Sequence, residues 1–258
     1  MNYPNNNVKT IIMKKGLAIR KLLEKKFPMK RYYKTEIPLN IFQTWHSKNL
    51  PPLMNNNIEL IKSTNPAFKY HFFDDEDCYN FIKENFDENV LNAFDRLIPG
   101  AYKADLWRYC ILFKLGGIYL DIKYKPVNGF KFINLSEKEH WVLDHDKFGI
   151  YNALMVCKPG NHILLKAINQ IVENVNTNYF GNHPLNPTGP LLLSNYFNEN
   201  EKKSFEMNHN YYINYKKYIC WREDYIIFES YDGYVREMGE NKKLPHYSVL
   251  WCEGKIYK

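Results

Sequence analysis

The chain has 258 residues, of which 45% are hydrophobic and 24% are charged, and this is enough for one α/β domain with a sizeable core. The composition excludes a disordered or fibrous protein, and no apolar run approaches the roughly 20 residues that a membrane-spanning helix needs. The net charge of +7 favours an anionic partner, yet the basic residues are dispersed and no nucleic-acid-binding motif accompanies them. We therefore expect a soluble protein without a nucleic-acid partner.

The cysteines are odd in number, widely spaced and mostly set within apolar runs. This pattern predicts reduced, largely buried thiols, and it is typical of the cytoplasm or another reducing compartment. No signal peptide is evident at the N-terminus. The five positions are Cys78, Cys110, Cys157, Cys220 and Cys252.

The first segment of the chain is basic. Residues 8–27 have the spacing of an amphipathic helix, with Ile12, Ile19 and Leu22 on one face. We expect residues 1–36 to form a helical extension of a domain that covers residues 37–258. Peripheral contact of residues 8–27 with an anionic membrane is the alternative.

From residue 38 onward, strand patterns alternate with helix patterns. This alternation predicts an α/β fold with a mixed, mostly parallel, Rossmann-like sheet and helices on both faces. In chain order, the predicted elements are strand 39–45, helix 53–64, strand 68–75, helices 76–85, 87–97 and 101–117, strands 118–121, 140–146 and 152–159, helix 162–175, and a helix within 186–197 that starts after the Gly189-Pro190 corner.

The predicted helix 101–117 is apolar except for a few charged positions. Asp105 and Arg108 stand three residues apart and therefore share a face. Buried charges need partners, so the two residues can form a structural ion pair, a pair directed at a ligand, or both.

Asp121 ends the strand that follows Gly116 and Gly117. Ligands of parallel α/β sheets bind beyond the carboxyl ends of the strands, so this carboxylate is a candidate for binding a sugar, a ribose or a metal. An Asp that simply caps a turn fits the same pattern. The sequence Asp144-His145-Asp146, at the end of another predicted strand, is a possible metal site or a solvated strand end.

Several ordered motifs resemble one family. The segments "IFQTWHSKNLPP", "NPAFKYHFFDDEDC", "YKADLWRYCILFKLGGIYLDIKY", "YNALMVCKPGNHILLKAI" and "TGPLLLS" are similar to the Och1-like glycosyltransferases of family 32, whose sugar-binding region carries a DXD motif. The Asp-x-x-Arg helix followed by Gly-Gly-x-Tyr-x-Asp also resembles the glucosyltransferase domain of large clostridial toxins. The resemblance spans about residues 37–197 and implies a GT-A fold that transfers a hexose from a UDP- or GDP-sugar to a glycan or protein, with retention of anomeric configuration.

The resemblance also implies roles for individual residues. Trp45 would stack on the base, Asp105 and Arg108 would bind the donor sugar and diphosphate, and Tyr119 and Asp121 would contact ribose, sugar and metal. The remaining positions would lie beside the donor (Asn152), near the acceptor (Thr188-Gly189-Pro190) or in a C-terminal segment that closes over the diphosphate (His246, Ser248 and Trp251).

Lys123 departs from the family pattern, because it occupies the position of the last Asp of the DXD motif. A protonated Lys cannot bind Mn²⁺ or Mg²⁺, which prefer oxygen ligands. Lys123 can itself neutralise the leaving diphosphate, or Asp121 can hold a metal with His246 or the Asp144-His145-Asp146 segment. Lys123 can also point away from the site. We expect an active transferase, and the alternative is a non-catalytic protein that binds a nucleotide sugar or a glycan through a degenerate DXD motif.

Overall fold

The structure, a computed structural model, describes residues 24–213 and 216–258. The predicted basic helix at 8–27 therefore lies mostly outside the described residues. The helices are α1 Pro52–Thr64, α2 Asp75–Asn85, α3 Glu88–Arg96, α4 Gly100–Leu115, α5 His162–Asn176, α6 Pro190–Ser194, α7 Glu199–Lys203, α8 Tyr234–Glu240 and α9 Tyr247–Cys252, with a 3₁₀ turn at Phe132–Leu135. The strands are β1 Asn40–Thr44, β2 Lys69–Phe73, β3 Gly117–Leu120, β4 Tyr124–Pro126, β5 Val142–Leu143, β6 Leu154–Cys157, β7 Met207–Ile213, β8 Lys216–Trp221 and β9 Tyr225–Ser230.

The central sheet has four strands in the order β2-β1-β3-β6. Strand β1 pairs in parallel with both β2 and β3, whereas β6 runs antiparallel to β3. The register pairs Phe42 with Tyr119, so the carboxyl ends of β1 and β3 lie side by side. This edge is where ligands of such sheets bind.

A second sheet has five strands in the order β4-β9-β8-β7-β5. Its pairs are antiparallel except for β5 with β7. The α/β class with mixed sheets is confirmed, and the parallel arrangement predicted for the whole fold is concentrated in the central sheet.

The two faces of the central sheet pack against different layers. Side chains that alternate along a strand point to opposite faces, and the odd and even positions of β1 and β3 follow this rule. Phe42 and Tyr119 pack with helices α2 to α5, while Ile41 and Ile118 pack with the second sheet and with α1 through Ile61. Helices therefore cover both faces, as predicted.

The turn from α4 into β3 depends on two glycines. Gly116 has φ +61° and Gly117 has φ +123°, a region that residues with a Cβ rarely adopt. A Cβ on Gly116 would also lie 2.6 Å from Cδ of Pro159. The close turn brings the buried helix α4 directly alongside the strand that ends in Asp121.

All five cysteines are free thiols, and four of them are buried, as predicted, while Cys252 is exposed. Among the described residues, no helix combines the length and the apolar character required to cross a bilayer.

His140 is buried at the edge of β6, with 5% of its surface exposed. Burial lowers the pKa of His140 to about 4, and Lys138 adds to this effect while Glu206 and Glu137 oppose it. An unfolded chain binds this proton near pH 6.5, whereas the folded chain binds it only near pH 4, so stability is lost as the pH falls between these values. We expect a loss of roughly 2–3 kcal/mol at pH 4.5, since each pKa unit corresponds to about 1.4 kcal/mol.

Urea unfolding of wild type and of His140→Gln at pH 7 and pH 4.5 measures this contribution. The acid-induced loss of unfolding free energy is expected to be smaller in the variant by about that amount. His162→Gln, on the exposed first turn of α5, is the control for the His-to-Gln substitution itself. Equal acid sensitivity of His140→Gln and wild type would contradict the assignment.

Candidate active site

Helix α4 and the end of β3 place charges of alternating sign in one row. Arg108 lies between two carboxylates, with its Nη2 3.5 Å from Oδ1 of Asp105 and its Nη1 3.3 Å from Oδ1 of Asp121. The ammonium of Lys123 donates to the other oxygen of Asp121. The order Asp105, Arg108, Asp121, Lys123 therefore gives two negative and two positive charges in direct contact, and we call these four residues the charge row. Asp105 and Arg108 were predicted to share a helix face and Asp121 to end the next strand, and the structure brings these three residues together.

Arg108 is held rigidly within the charge row. Its Nη1 donates to the Asn152 carbonyl at 2.9 Å, its Nε donates to the Ala104 carbonyl at 3.1 Å, and its guanidinium lies 4.4 Å above the ring of Tyr119. Burial opposes its charge, but Tyr119, Asp105 and Asp121 raise the pKa of Arg108 above its ordinary value. The guanidinium is therefore a permanently charged bridge between the helix and the strand.

Asp105 is buried and fully engaged. Its oxygens accept hydrogen bonds from Oγ1 of Thr188 at 2.7 Å and from Nδ2 of Asn152 at 2.9 Å. Burial raises the pKa of Asp105, although Arg108 and these two hydrogen bonds favour its ionised form. The hydrogen bonds from Asn152 and Thr188 thus fix the carboxylate of Asp105, and this carboxylate holds Arg108 through the ion pair.

Sequence reasoning missed Tyr109 in this support. Its hydroxyl accepts from Nδ2 of Asn152 at 2.8 Å and donates to the Thr188 carbonyl at 2.9 Å. Tyr109 lies four residues after Asp105 and hence on the same face of α4. This helical spacing is the signal that could have identified it.

The outer end of the charge row is Asp121 and Lys123. The side chain of Asp121 is 21% exposed and that of Lys123 is 11% exposed. Oδ1 of Asp121 also accepts from the Tyr119 hydroxyl at 2.8 Å. Burial raises the pKa of Asp121, but Lys123 and Arg108 together lower this pKa by a larger amount, so the net shift is downward. Burial acts in the opposite sense on Lys123, and contact with Asp121 raises its pKa overall, so both groups are charged.

A divalent cation does not fit this end of the charge row. Both oxygens of Asp121 are engaged by protein donors, and two cationic side chains lie against them. The interpretation that Lys123 points away from the site is wrong, because its ammonium contacts Asp121 directly. A further cation here would meet Coulomb repulsion from Lys123 and Arg108.

His246, the other predicted metal ligand, begins helix α9. Its Nδ1 lies 2.7 Å from Oγ of Ser248, and among residues 24–213 and 216–258 no contact joins it to Asp121. Trp251 donates from Nε1 to the Phe180 carbonyl at 2.8 Å and thereby anchors α9. The structure thus groups His246, Ser248 and Trp251 on one short helix.

Trp45 follows β1 at the same sheet edge as Asp121. Its ring is partly exposed and packs on the cluster that contains Ile122, the neighbour of Asp121. Its Nε1 is shielded from solvent and has no hydrogen-bond partner among the described residues. Next to it, the ring of His46 is held by the Asn241 carbonyl at 2.8 Å, and Lys243 donates to the His46 carbonyl at 3.0 Å. Asn241 and Lys243 therefore hold His46 in place beside Trp45.

The segment Asp144-His145-Asp146 is a turn after the two-residue strand β5. Asp146 accepts from the backbone N–H of Phe148 at 2.9 Å and stabilises the turn. Asp144 instead contacts His145 and the distant His209, both through Nδ1, at 3.0 Å and 2.9 Å. His209 thus takes the third place that the sequence had assigned to Asp146.

Comparison with known proteins agrees with the motifs. Residues 51–145, which include the charge row, match the family described as "Glycosyltransferase sugar-binding region containing DXD motif". Inositol phosphoceramide mannosyltransferase 3 of Schizosaccharomyces pombe is 30% identical over 61% of this chain and 44% of its own length. The initiation-specific alpha-1,6-mannosyltransferase of Candida albicans is 30% identical over 43% of this chain and 31% of its own length.

A solved structure, the PaToxG glycosyltransferase, aligns with 72% of this chain and 75% of its own at 18% identity and a TM-score of 0.46. The chain spans less than half the length of the two curated relatives. The family match and the curated relatives confirm the resemblance seen in the motifs: the chain is similar to glycosyltransferases that carry the DXD sugar-binding region.

Proposed function

We propose that the protein is a retaining glycosyltransferase that moves a hexose from a nucleotide-diphosphate sugar to the hydroxyl group of a glycan or glycoprotein. The observation that carries this proposal is the charge row, whose solvent-reaching end lies at the carboxyl edge of the central sheet beside Trp45. This edge is the usual ligand-binding edge of such sheets. Trp45 is partly exposed there and offers an aromatic face for the base.

Within this proposal, Lys123 is the group that meets the leaving diphosphate. An ammonium has three N–H donors, and Asp121 is the one hydrogen-bond acceptor that the described residues offer it. Arg108, in contrast, uses its donors on Asn152, Ala104 and the two carboxylates. We therefore infer that Lys123 binds phosphate oxygens, whereas Arg108 positions Asp121 and Lys123 and contributes its charge.

The bond that breaks joins the anomeric carbon of the sugar to the diphosphate oxygen, and the bond that forms joins this carbon to the acceptor oxygen. The acceptor hydroxyl approaches the same face of the sugar ring from which the diphosphate departs. The proton of this hydroxyl passes to the departing diphosphate. Lys123 stabilises the negative charge that develops on that oxygen, which is the charge that a divalent cation otherwise offsets. The transfer therefore proceeds without Mn²⁺ or Mg²⁺.

We propose mannose as the sugar, because the curated relatives are named mannosyltransferases. The name of one relative gives an acceptor and that of the other does not, so the acceptor is tested across classes. Inositol phosphoceramide, which one relative's name specifies, is included beside free glycans and glycoproteins.

Incubation with GDP-mannose, UDP-glucose, UDP-galactose and UDP-GlcNAc, with and without Mn²⁺, tests the proposal. We expect slow hydrolysis of one donor at a rate that Mn²⁺ does not increase, release of the sugar with its original anomeric configuration, and faster turnover with acceptor. The Asp121→Asn variant is expected to lose this activity, because it removes the carboxylate that pairs with both Lys123 and Arg108. Calorimetric binding of a donor without cleavage under any condition would instead identify a nucleotide-sugar-binding protein.

A further inference from the structure

A second polar cluster, formed by Asp144, His145 and His209, lies away from the charge row. Oδ1 of Asp144 is 3.0 Å from Nδ1 of His145 and 2.9 Å from Nδ1 of His209. One ligand atom from each of the three residues lies within 4.8 Å of the others. We propose that these three side chains bind a transition-metal ion of the Zn²⁺ class.

The distances within the cluster suit such an ion. Two ligands with metal bonds of about 2.1 Å stand about 3.0 Å apart at a right angle and about 3.4 Å apart at a tetrahedral angle. The two Nδ1 atoms already lie at the shorter of these separations from the carboxylate oxygen. An ion held between these atoms accepts the Nδ1 lone pairs, so each neutral imidazole then carries its proton on Nε2.

The surroundings fix the ligands. His209 is 6% exposed and stacks on the ring of Tyr151, with ring centroids 3.9 Å apart and planes 4° from parallel. Its Nε2 is shielded and finds no hydrogen-bond partner within the described part of the chain. Stacking on Tyr151 therefore fixes the plane of the His209 ring and keeps its Nδ1 directed at Asp144.

The ion also has a route into the cluster. His145 has 44% of its side chain exposed. Asp144 lines a surface cavity of about 370 Å³ together with Asp146, His183 and Leu185. Solvent therefore reaches the ligands from this side.

The ligand set selects the class of metal. Two imidazoles and one carboxylate suit Zn²⁺ and its borderline neighbours such as Co²⁺, while Mg²⁺ and Ca²⁺ prefer sets composed of oxygen atoms. Three protein ligands leave a fourth position for water or for a ligand in the cavity. This site does not depend on the proposed transfer reaction. The ring of Tyr151 lies between the site and the charge row, with its centroid 5.5 Å from the Lys123 ammonium.

Zn²⁺ calorimetry on the full chain, freed of metal and without a histidine tag, tests the site. A Cys252→Ser background removes the exposed thiol, which is the competing Zn²⁺ ligand. We expect one equivalent of Zn²⁺ to bind and Co²⁺ to give the absorption bands of nitrogen and oxygen ligation. His145→Ala, at an exposed position that tolerates replacement, and Asp144→Asn are expected to weaken binding by more than about 100-fold, since loss of an outer-shell partner alone costs about 10–100-fold.

His183→Ala is the matched control, because His183 lines the same cavity outside the cluster. It is expected to keep wild-type Zn²⁺ affinity, and circular dichroism of every variant verifies the fold. Absence of Zn²⁺ binding to the folded wild-type chain, or equal affinity of wild type and His145→Ala, would overturn the proposal and leave a hydrogen-bonded cluster. Neither result bears on donor cleavage, which is assayed separately.

Discussion

Replacement of Arg108 by Met is expected to lower the free energy of unfolding by about 3–5 kcal/mol, the cost of leaving a buried charge without its partner. Arg108 is 6% exposed and contacts Asp105 on one side and Asp121 on the other. Met fills much of the volume but removes the charge and the hydrogen bonds to Asn152 and Ala104. Asp105 would then remain buried with hydrogen bonds but no neighbouring cation.

The same variant has a distinctive pH dependence. Burial already raises the pKa of Asp105, and loss of Arg108 removes the largest opposing influence. A carboxyl whose pKa is higher in the folded than in the unfolded chain binds protons preferentially when folded, so acid stabilises the fold. The deficit of Arg108→Met relative to wild type is therefore expected to shrink between pH 7 and pH 5.

Urea unfolding at these two pH values provides the measurement. Arg222→Met is the matched control, since Arg222 pairs with Glu206 at the surface with 64% of its side chain exposed. Exposed pairs contribute about 0–1 kcal/mol, so little change is expected there. An Arg108→Met variant as stable as this control would show that the charge row does not hold α4 against β3.

The second large effect concerns Lys123. The Lys123→Met variant is expected to cleave its donor about 10²–10³-fold more slowly than wild type, which is the usual loss when one group that stabilises developing negative charge is removed. Stability is expected to change less than in Arg108→Met, because Asp121 keeps Arg108 and the Tyr119 hydroxyl as partners.

Lys123→Asp restores the Asp-x-Asp pattern and reverses the charge beside Asp121. Two neighbouring carboxylates are suitable ligands for Mn²⁺. We expect this variant to be inactive without metal and to recover part of its activity when Mn²⁺ is added, whereas wild type does not respond to the ion.

Lys125→Met serves as the control for both variants, because Lys125 lies two positions further on and pairs with Glu229 and Asp232. Its donor cleavage is expected to match wild type. Full activity of Lys123→Met, or an equal Mn²⁺ response of wild type and Lys123→Asp, would refute the role assigned to the ammonium.

Local sequence carries much of the fold and the inner part of the site. Helix α4 and strand β3 are consecutive, so spacing along the helix and the Gly116-Gly117 turn suffice to bring Asp105, Arg108 and Asp121 together. Helical periodicity and capping residues are local properties, and the predicted helices 53–64, 76–85 and 162–175 correspond closely to α1, α2 and α5.

Contacts between distant segments were not predictable in this way. Thr188 reaches Asp105 across 83 positions of sequence, and His209 reaches Asp144 across 65. The predicted strand 140–146 shortens to two residues because the chain turns at Asp144. The helix predicted after the Gly189-Pro190 corner begins there, at Pro190, but ends at Ser194, while Pro187 and Thr188 before it contact α5 and α4. The orientation of Lys123, just beyond a strand end, depends on its partner and not on strand periodicity.

The second sheet has a consequence for biosynthesis. Strand β4, at residues 124–126, pairs with β9 at residues 228–230, and β5 pairs with β7 near residue 207. During translation the central sheet is complete once β6 has emerged, while the layer that covers Ile41 and Ile118 is still largely unmade. The nascent chain therefore exposes an aggregation-prone apolar surface until β7 to β9 have left the ribosome, and we expect slow folding that benefits from chaperones.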